Sequence, residues 1–374
     1  MTNPCKKKRF VSHGGDVWGF SRKHNIPIEE VRDFSGPVNF LGPAPKAVEA
    51  VKRYARFIKF YPDPNPLELR TEIARYVGSG VDASNVILGN GSIELIYMIT
   101  EIFPSGFKAV IPVPSFTEYE KAALRVGGEP VFVKLPASFA LNVGSVKNAV
   151  TEETRIVFLC NPHSPSGKLN SKEEILKLVD FCRKKDVIVS VDENYIEFAE
   201  NAQDATVADE VENYDNLFVI RSVTKFYGMP GIRFGYGIAT ENLVDTLQTA
   251  RQPWSINSLA GYATLAALKD QDFIENTKRT ISKERARFAK MLNDIVGLHV
   301  FPSETNFLLV KILDKKMITS KVLREELAEE GMLIRDCSTF VGLDDSYFRV
   351  TVKDYENNRK LKEAIKSIFQ ARRD

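Results

Sequence analysis

Apolar runs ending near Leu88, Val113, Leu159, Asp192 and Ser222 alternate along this chain with segments of helical period. Few architectures accept that alternation. A strand that is apolar on both faces must be covered on both, and a strand–helix–strand unit sets successive strands parallel. The pattern therefore predicts an α/β fold, a mostly parallel sheet covered by helices. One covering helix is well marked: Ser171 and Glu174 form a capping box, and Ile175, Leu178, Val179 and Cys182 make one apolar face behind it. From about Ser258 the pattern changes to long charged helices, with Asn306-Phe307-Leu308-Leu309-Val310 and Tyr347-Phe348-Arg349-Val350-Thr351-Val352 as strands of a smaller α+β domain. At 374 residues the chain exceeds the size at which one core stops growing, about 250–300 residues. The expected division is an amino-terminal arm over residues 1–44 that packs on the small domain, a large domain over 45–257 and a small domain over 258–374.

In open sheets of this kind ligands bind beyond the carboxyl ends of the strands, and there the chain places its chemistry. Lys225 follows the buried-strand run Leu217-Phe218-Val219-Ile220 and is set among Ser222, Thr224, Gly228, Gly231 and Arg233. A lysine at its ordinary pKa of about 10.4 is protonated at neutral pH and cannot attack a carbonyl, so carbonyl chemistry needs one withdrawn from water near other positive charge. The hydroxyls and the guanidinium suit a phosphate. Upstream, Val187-Ile188-Val189-Ser190-Val191 runs straight into Asp192-Glu193-Asn194-Tyr195, which aims a carboxylate at the same crevice.

Three more residues fall at strand ends. Gly91 and Ser92, after Asn85-Val86-Ile87, open the amphipathic run Ile93–Ile99, where bare backbone N–H groups and the helix terminus favour an anion. Phe116 follows Ala109-Val110-Ile111 and can stack on a flat ring, while Asn161 follows Ile156-Val157-Phe158 in a turn rich in proline. Each also has a plain structural reading: a solvated lysine for Lys225, a helix cap for Asp192, a turn residue for Asn161, a core aromatic for Phe116. Five such residues in one crevice favour the ligand reading.

Together these motifs resemble the fold-type I pyridoxal phosphate enzymes, and within them the histidinol-phosphate aminotransferase branch with its threonine-phosphate decarboxylases. Further marks are His13-Gly14-Gly15-Asp16, Asp33-Phe34-Ser35 followed by Asn39, Tyr61-Pro62-Asp63, Arg251-Gln252-Pro253-Trp254, Leu333-Ile334-Arg335-Asp336-Cys337 and Tyr347-Phe348-Arg349-Val350. The resemblance implies pyridoxal 5'-phosphate as cofactor, Lys225 as the imine-forming lysine, and Asp192 as partner of the pyridine nitrogen. It implies Tyr195 and Asn161 as donors to the ring's phenolic oxygen, and Phe116 as the stacking ring. Gly91, Ser92, Ser222, Thr224 and Arg233 become the phosphate cup, and Tyr61 reaches the cofactor of a neighbouring subunit, which makes a homodimer with a composite site. Arg349 is matched to the substrate carboxylate, Arg335 and His13 to a substrate phosphate, and Asn39 lies close by. The substrate implied is a phosphorylated amino acid or amine, and the reaction is decarboxylation of L-threonine-O-3-phosphate or, alternatively, transamination. Departures fall at Pro37 and at His163-Ser164-Pro165-Ser166, where the family's turns carry asparagine.

A net charge of +2 gives no electrostatic case for nucleic acid, and the run Lys6-Lys7-Lys8-Arg9 reads as a solvated arm. Four cysteines without paired spacing and four scattered histidines point to a reducing cytoplasm and to no metal site. Neither a signal-peptide pattern nor an apolar run of about 18 residues predicts membrane targeting or insertion. A dinucleotide enzyme is disfavoured because position 94 is glutamate where that fingerprint needs glycine. A ligand-sensing regulator would carry an appended winged helix, and the cofactor-like motifs begin too early for one.

Overall fold

The computed structural model describes residues 13–373; Cys5 and the basic run at 6–9 lie outside them. A seven-stranded sheet forms the larger body, in the order Val86–Gly89, Gly235–Ile238, Leu217–Ser222, Ile188–Asp192, Thr154–Cys160, Lys108–Val113, Glu129–Lys134. Gly235–Ile238 is antiparallel to both neighbours, and the pairs from Leu217–Ser222 across to Glu129–Lys134 are all parallel. Leu217–Ser222 is buried at every position, as continuous apolar runs in a doubly covered sheet require. Separate apolar clusters cover the sheet's two faces; Val110, Val157, Val189 and Val219 point into one, Ile111, Phe158, Phe218 and Ile220 into the other. The helix Lys172–Arg183 starts at the expected capping box and buries Ile175, Leu178, Val179 and Cys182.

The second body is a four-stranded antiparallel sheet, ordered Arg335–Asp336, Tyr347–Thr351, Phe307–Ile312, Leu298–Val300, with its own apolar cluster. The chain ahead of the large body joins it. Arg32–Asp33 pairs in parallel with Met332–Leu333, and the Thr351 amide donates to the Phe34 carbonyl at 2.8 Å. This threading lays His13 to Pro37 over the gap between the two sheets, beside both the strand ends and Arg335. Among the described residues no helix is long and apolar enough to cross a membrane.

Candidate active site

A cleft of about 690 Å³ opens between the bodies, with Lys225, Asp192, Tyr195, Arg233, Arg335 and Arg349 in its wall. Alternation along the strand explains how Asp192 arrives there. Asp192 ends Ile188–Asp192, and its neighbour Glu193 turns the other way, held by Arg221 Nη2 at 2.8 Å, Thr206 Oγ1 at 2.8 Å and the Val207 amide at 2.9 Å. With Glu193 anchored below, Asp192 faces the cleft. Its Oδ2 accepts from Tyr119 Oη at 2.7 Å and its Oδ1 from the Asn194 amide at 3.0 Å and Asn194 Nδ2 at 2.7 Å. Burial pushes the Asp192 carboxyl up, against the pull of those donors and of nearby Lys225.

Lys225 has the opposite problem. Burial, then the positive charges of Arg349 and Arg233, lower its pKa to about 8. Roughly a tenth of its amine is thus unprotonated at pH 7, far more than a solvated lysine offers.

Gly91 ends the first turn of the cleft floor with φ +79°, at the amino end of the helix Ser92–Glu101. A side-chain carbon at Gly91 would run into Arg233 Nη2, and one at Gly235 into the Ser92 amide, so glycine at both places keeps backbone N–H groups and a guanidinium together. Ser222 and Thr224 line the same end of the cleft, and Phe116 lies between His13 and Tyr119, with ring centroids 5.5 and 5.7 Å away.

On the small-domain side Arg335 and Arg349 are directly opposed across an antiparallel strand pair. Both are buried. Arg335 Nη2 donates to Thr339 Oγ1 at 2.9 Å and lies 5.2 Å from the Phe340 ring; Arg349 donates to Ser164 Oγ at 3.2 Å and to the Ser35 carbonyl at 3.3 Å. Arg349 Nε has no hydrogen-bond partner. His13 Nε2 meets Glu118 Oε1 at 2.7 Å, and Glu118 also accepts from Lys121 Nζ at 2.6 Å and Tyr97 Oη at 2.7 Å. Burial alone would raise the Glu118 carboxyl, but these partners hold it down at about 2.

Two expected residues are not brought to the cleft. Asn161 is buried with its amide turned onto Asn170, Oδ1 accepting from the Asn170 amide at 2.8 Å and Nδ2 donating to its carbonyl at 3.2 Å. The turn curls so that Ser164, three residues on, faces the cleft instead. Asn39 donates to the Phe226 carbonyl at 2.8 Å and Thr277 Oγ1 at 3.1 Å, so it ties the Lys225 loop to the helix Gln271–Asn293 and does not line the cleft. Tyr61 lies apart, 80% exposed and packed on Trp254 at 4.9 Å, on a surface that also exposes Ile58 and Phe60. Tyr119, Ser164, Asn194 and Glu118 have no role in the sequence reading; Asn194, inside the Asp192–Tyr195 segment, and Ser164, inside the turn His163-Ser164-Pro165-Ser166, nevertheless stand in motifs that the sequence marks.

Residues 32–367 match the family model of class I and II aminotransferases. The chain belongs to that family, an α/β enzyme of fold type I, and its cofactor is pyridoxal 5'-phosphate. A candidate threonine-phosphate decarboxylase of Caldanaerobacter subterraneus subsp. tengcongensis is 36% identical over 367 residues, which cover 98% of this chain and 96% of that protein. The crystal structure of histidinol-phosphate aminotransferase from Clostridium acetobutylicum is similar with a TM-score of 0.85 at 32% identity, over 91% of this chain and 100% of that one. That of L-threonine-O-3-phosphate decarboxylase from Porphyromonas gingivalis gives 0.80 at 28% identity, over 90% and 99%.

Proposed function

We propose that this enzyme decarboxylates L-threonine-O-3-phosphate to aminopropanol phosphate, a step of cobalamin biosynthesis, as a homodimer in the cytoplasm. The opposed pair Arg335 and Arg349 carries this reading. Two buried guanidiniums in one cleft with Lys225 suit a small molecule that bears its carboxylate and its phosphate on adjacent carbons. Histidinol phosphate has the phosphate but no carboxylate. The likeness to the candidate decarboxylase over nearly the whole chain supports the same reading.

The residues fit pyridoxal phosphate. Glycine at position 91 leaves the space that a side chain would fill, beside Arg233 and the amino end of Ser92–Glu101. Asp192 is a buried carboxylate that a protonated ring nitrogen would satisfy, and Lys225 is an amine of lowered pKa within the same cleft. In this reading Gly91, Ser92, Ser222, Thr224 and Arg233 hold the phosphate, Phe116 covers the ring and Tyr195 donates to its phenolic oxygen. Tyr61, on its exposed aromatic surface, reaches the site of a second subunit.

When bound, the cofactor supplies a conjugated ring that takes up the electron pair of the Cα bond standing perpendicular to it. The chain's own residues choose the bond. Arg349 would grip the carboxylate, and Arg335 and His13 would grip the phosphate, so that the substrate would be held at both ends. Fixing orientation in this way lowers a barrier by several kcal/mol. Lys225 Nζ holds the proton that replaces carbon dioxide at Cα, and Asp192 keeps the ring nitrogen protonated. The arm sets His13 beside Phe116 at the cleft wall.

Transamination of histidinol phosphate stays as the second reading, because the aminotransferase structure gives the higher TM-score, 0.85 against 0.80. The test is incubation of the cofactor-loaded protein with L-threonine-O-3-phosphate and no keto acid. Release of carbon dioxide with aminopropanol phosphate is expected; activity only with histidinol phosphate and 2-oxoglutarate would overturn the proposal.

A further inference from the structure

Asn194 sits between two parts of the cleft that the fold delivers separately. Its Nδ2 donates to Asp192 Oδ1 at 2.7 Å and to Ser92 Oγ at 3.0 Å, and its backbone amide donates to the same Asp192 oxygen at 3.0 Å. Ser92 opens the helix at the phosphate end; Asp192 closes a strand at the other. The side chain is 7% exposed, and it lines the cleft. The amide's orientation is fixed by chemistry: only its NH₂ can face a carboxylate oxygen, since the carbonyl would meet it acceptor to acceptor. With Nδ2 committed, Oδ1 is left buried without a donor. A buried acceptor without a partner is unfavourable, and such groups concentrate where a site is completed by a ligand. An asparagine that merely capped the turn would need the backbone bond alone.

We infer that Asn194 is a positioning residue that locks the Asp192 carboxylate toward the ring nitrogen and fixes its distance from the phosphate cup through Ser92. The inference rests on the reading of this cleft as the cofactor site. Two groups then orient Asp192, Tyr119 on Oδ2 and Asn194 on Oδ1. Donors to a carboxylate stabilise its ionised form, and an ionised Asp192 keeps the proton on the ring nitrogen. The other ionisable groups facing Asp192 are Cys160, Tyr195 and Lys225. Removal of the Asn194 amide makes Asp192 a stronger base, draws the proton from the ring nitrogen toward Asp192, and so strengthens the hold of the cofactor–lysine linkage on its own proton.

The experiment compares wild type, Asn194→Ala and Asn194→Asp, each loaded with pyridoxal phosphate, by three readouts: the pH midpoint of the visible absorbance, the cofactor Kd, and the Tm of the cofactor-free protein. For Asn194→Ala the midpoint moves up and Kd rises about tenfold, the scale of one charge-assisted hydrogen bond, with Tm little changed. Asn194→Asp keeps the shape, sets a second carboxylate beside Asp192, and moves the midpoint further up. Midpoints that coincide with wild type in both variants, whatever happens to Kd and Tm, overturn the inference and leave Asn194 a packing residue. A wild-type protein without a visible band overturns the cofactor reading itself, an outcome distinct from silent variants of a coloured enzyme.

Discussion

Arg335 and Arg349 face each other across the strand pair that closes the small-domain side of the cleft. Like charges opposed in this way destabilise a sheet, and burial adds to the cost. Burial and then the charge of Arg349 lower the pKa of Arg335. In the proposed reading the pair receives the carboxylate and the phosphate of the substrate.

Replacing Arg335 by glutamine should raise KM for L-threonine-O-3-phosphate by roughly tenfold to a hundredfold, since a hydrogen bond to a charged group contributes about 1.5–3 kcal/mol. kcat should fall less. Steady-state kinetics decide it, and an unchanged KM would remove Arg335 from the phosphate site.

The lowered pKa of Lys225, about 8, sets a pH dependence. The rate at which cofactor-free protein takes up pyridoxal phosphate should climb with a midpoint near 8, where the amine loses its proton, and not near the ordinary 10.5. Arg349→Met removes a neighbouring positive charge and should shift that midpoint upward. Stopped-flow absorbance against pH measures both, and Lys225→Ala should show no covalent uptake while remaining folded.

Glu118 predicts an effect on stability. Its folded pKa of about 2 lies below the ordinary 4.5, so its contribution is present above pH 4.5 and is lost as the pH falls toward 2. Wild type should therefore melt above Glu118→Gln at neutral pH, and the difference should vanish across that acid window. His13→Ala should lose part of the same difference. Melting curves at several pH values test this.

Gly91→Ala should cost about 1–3 kcal/mol of stability, the penalty of holding a non-glycine residue in a backbone region that side chains avoid. Displacement of Arg233 by the new methyl should weaken phosphate binding as well. Calorimetric titration with pyridoxal phosphate, beside denaturant unfolding, would show the two losses together.

Much of the large sheet can be read along the chain. Leu217-Phe218-Val219-Ile220, Ile188–Val191 and Ile156-Val157-Phe158 all form strands, because a doubly covered strand is buried on both faces and so is apolar at nearly every position. The residues at their ends, Asp192, Lys225, Gly91 and Phe116, meet where the sheet delivers them. Asn161 and Asn39 differ for a common reason: an amide at a turn is satisfied as well by nearby backbone as by a ligand, and only the path of the chain decides between them. Tyr119 escapes notice because it stands inside a helix and not at a strand end, and the roles of Tyr119 and Ser164 are hidden because what each touches lies far away in sequence.

Apolar period and capping act over a few residues and write the class of fold locally, while the motifs around Asp192 and Lys225 carry the resemblance from which the family and the cofactor follow. Tertiary structure alone decided that Arg335 opposes Arg349, that Glu193 is anchored below while Asp192 faces the cleft, and that Asn194 links Asp192 to Ser92. Those relations depend on strand register and on contacts between residues as many as 102 positions apart. They arise only once strands and helices distant along the chain pack together, where burial and opposed charge give ordinary side chains their altered proton affinities.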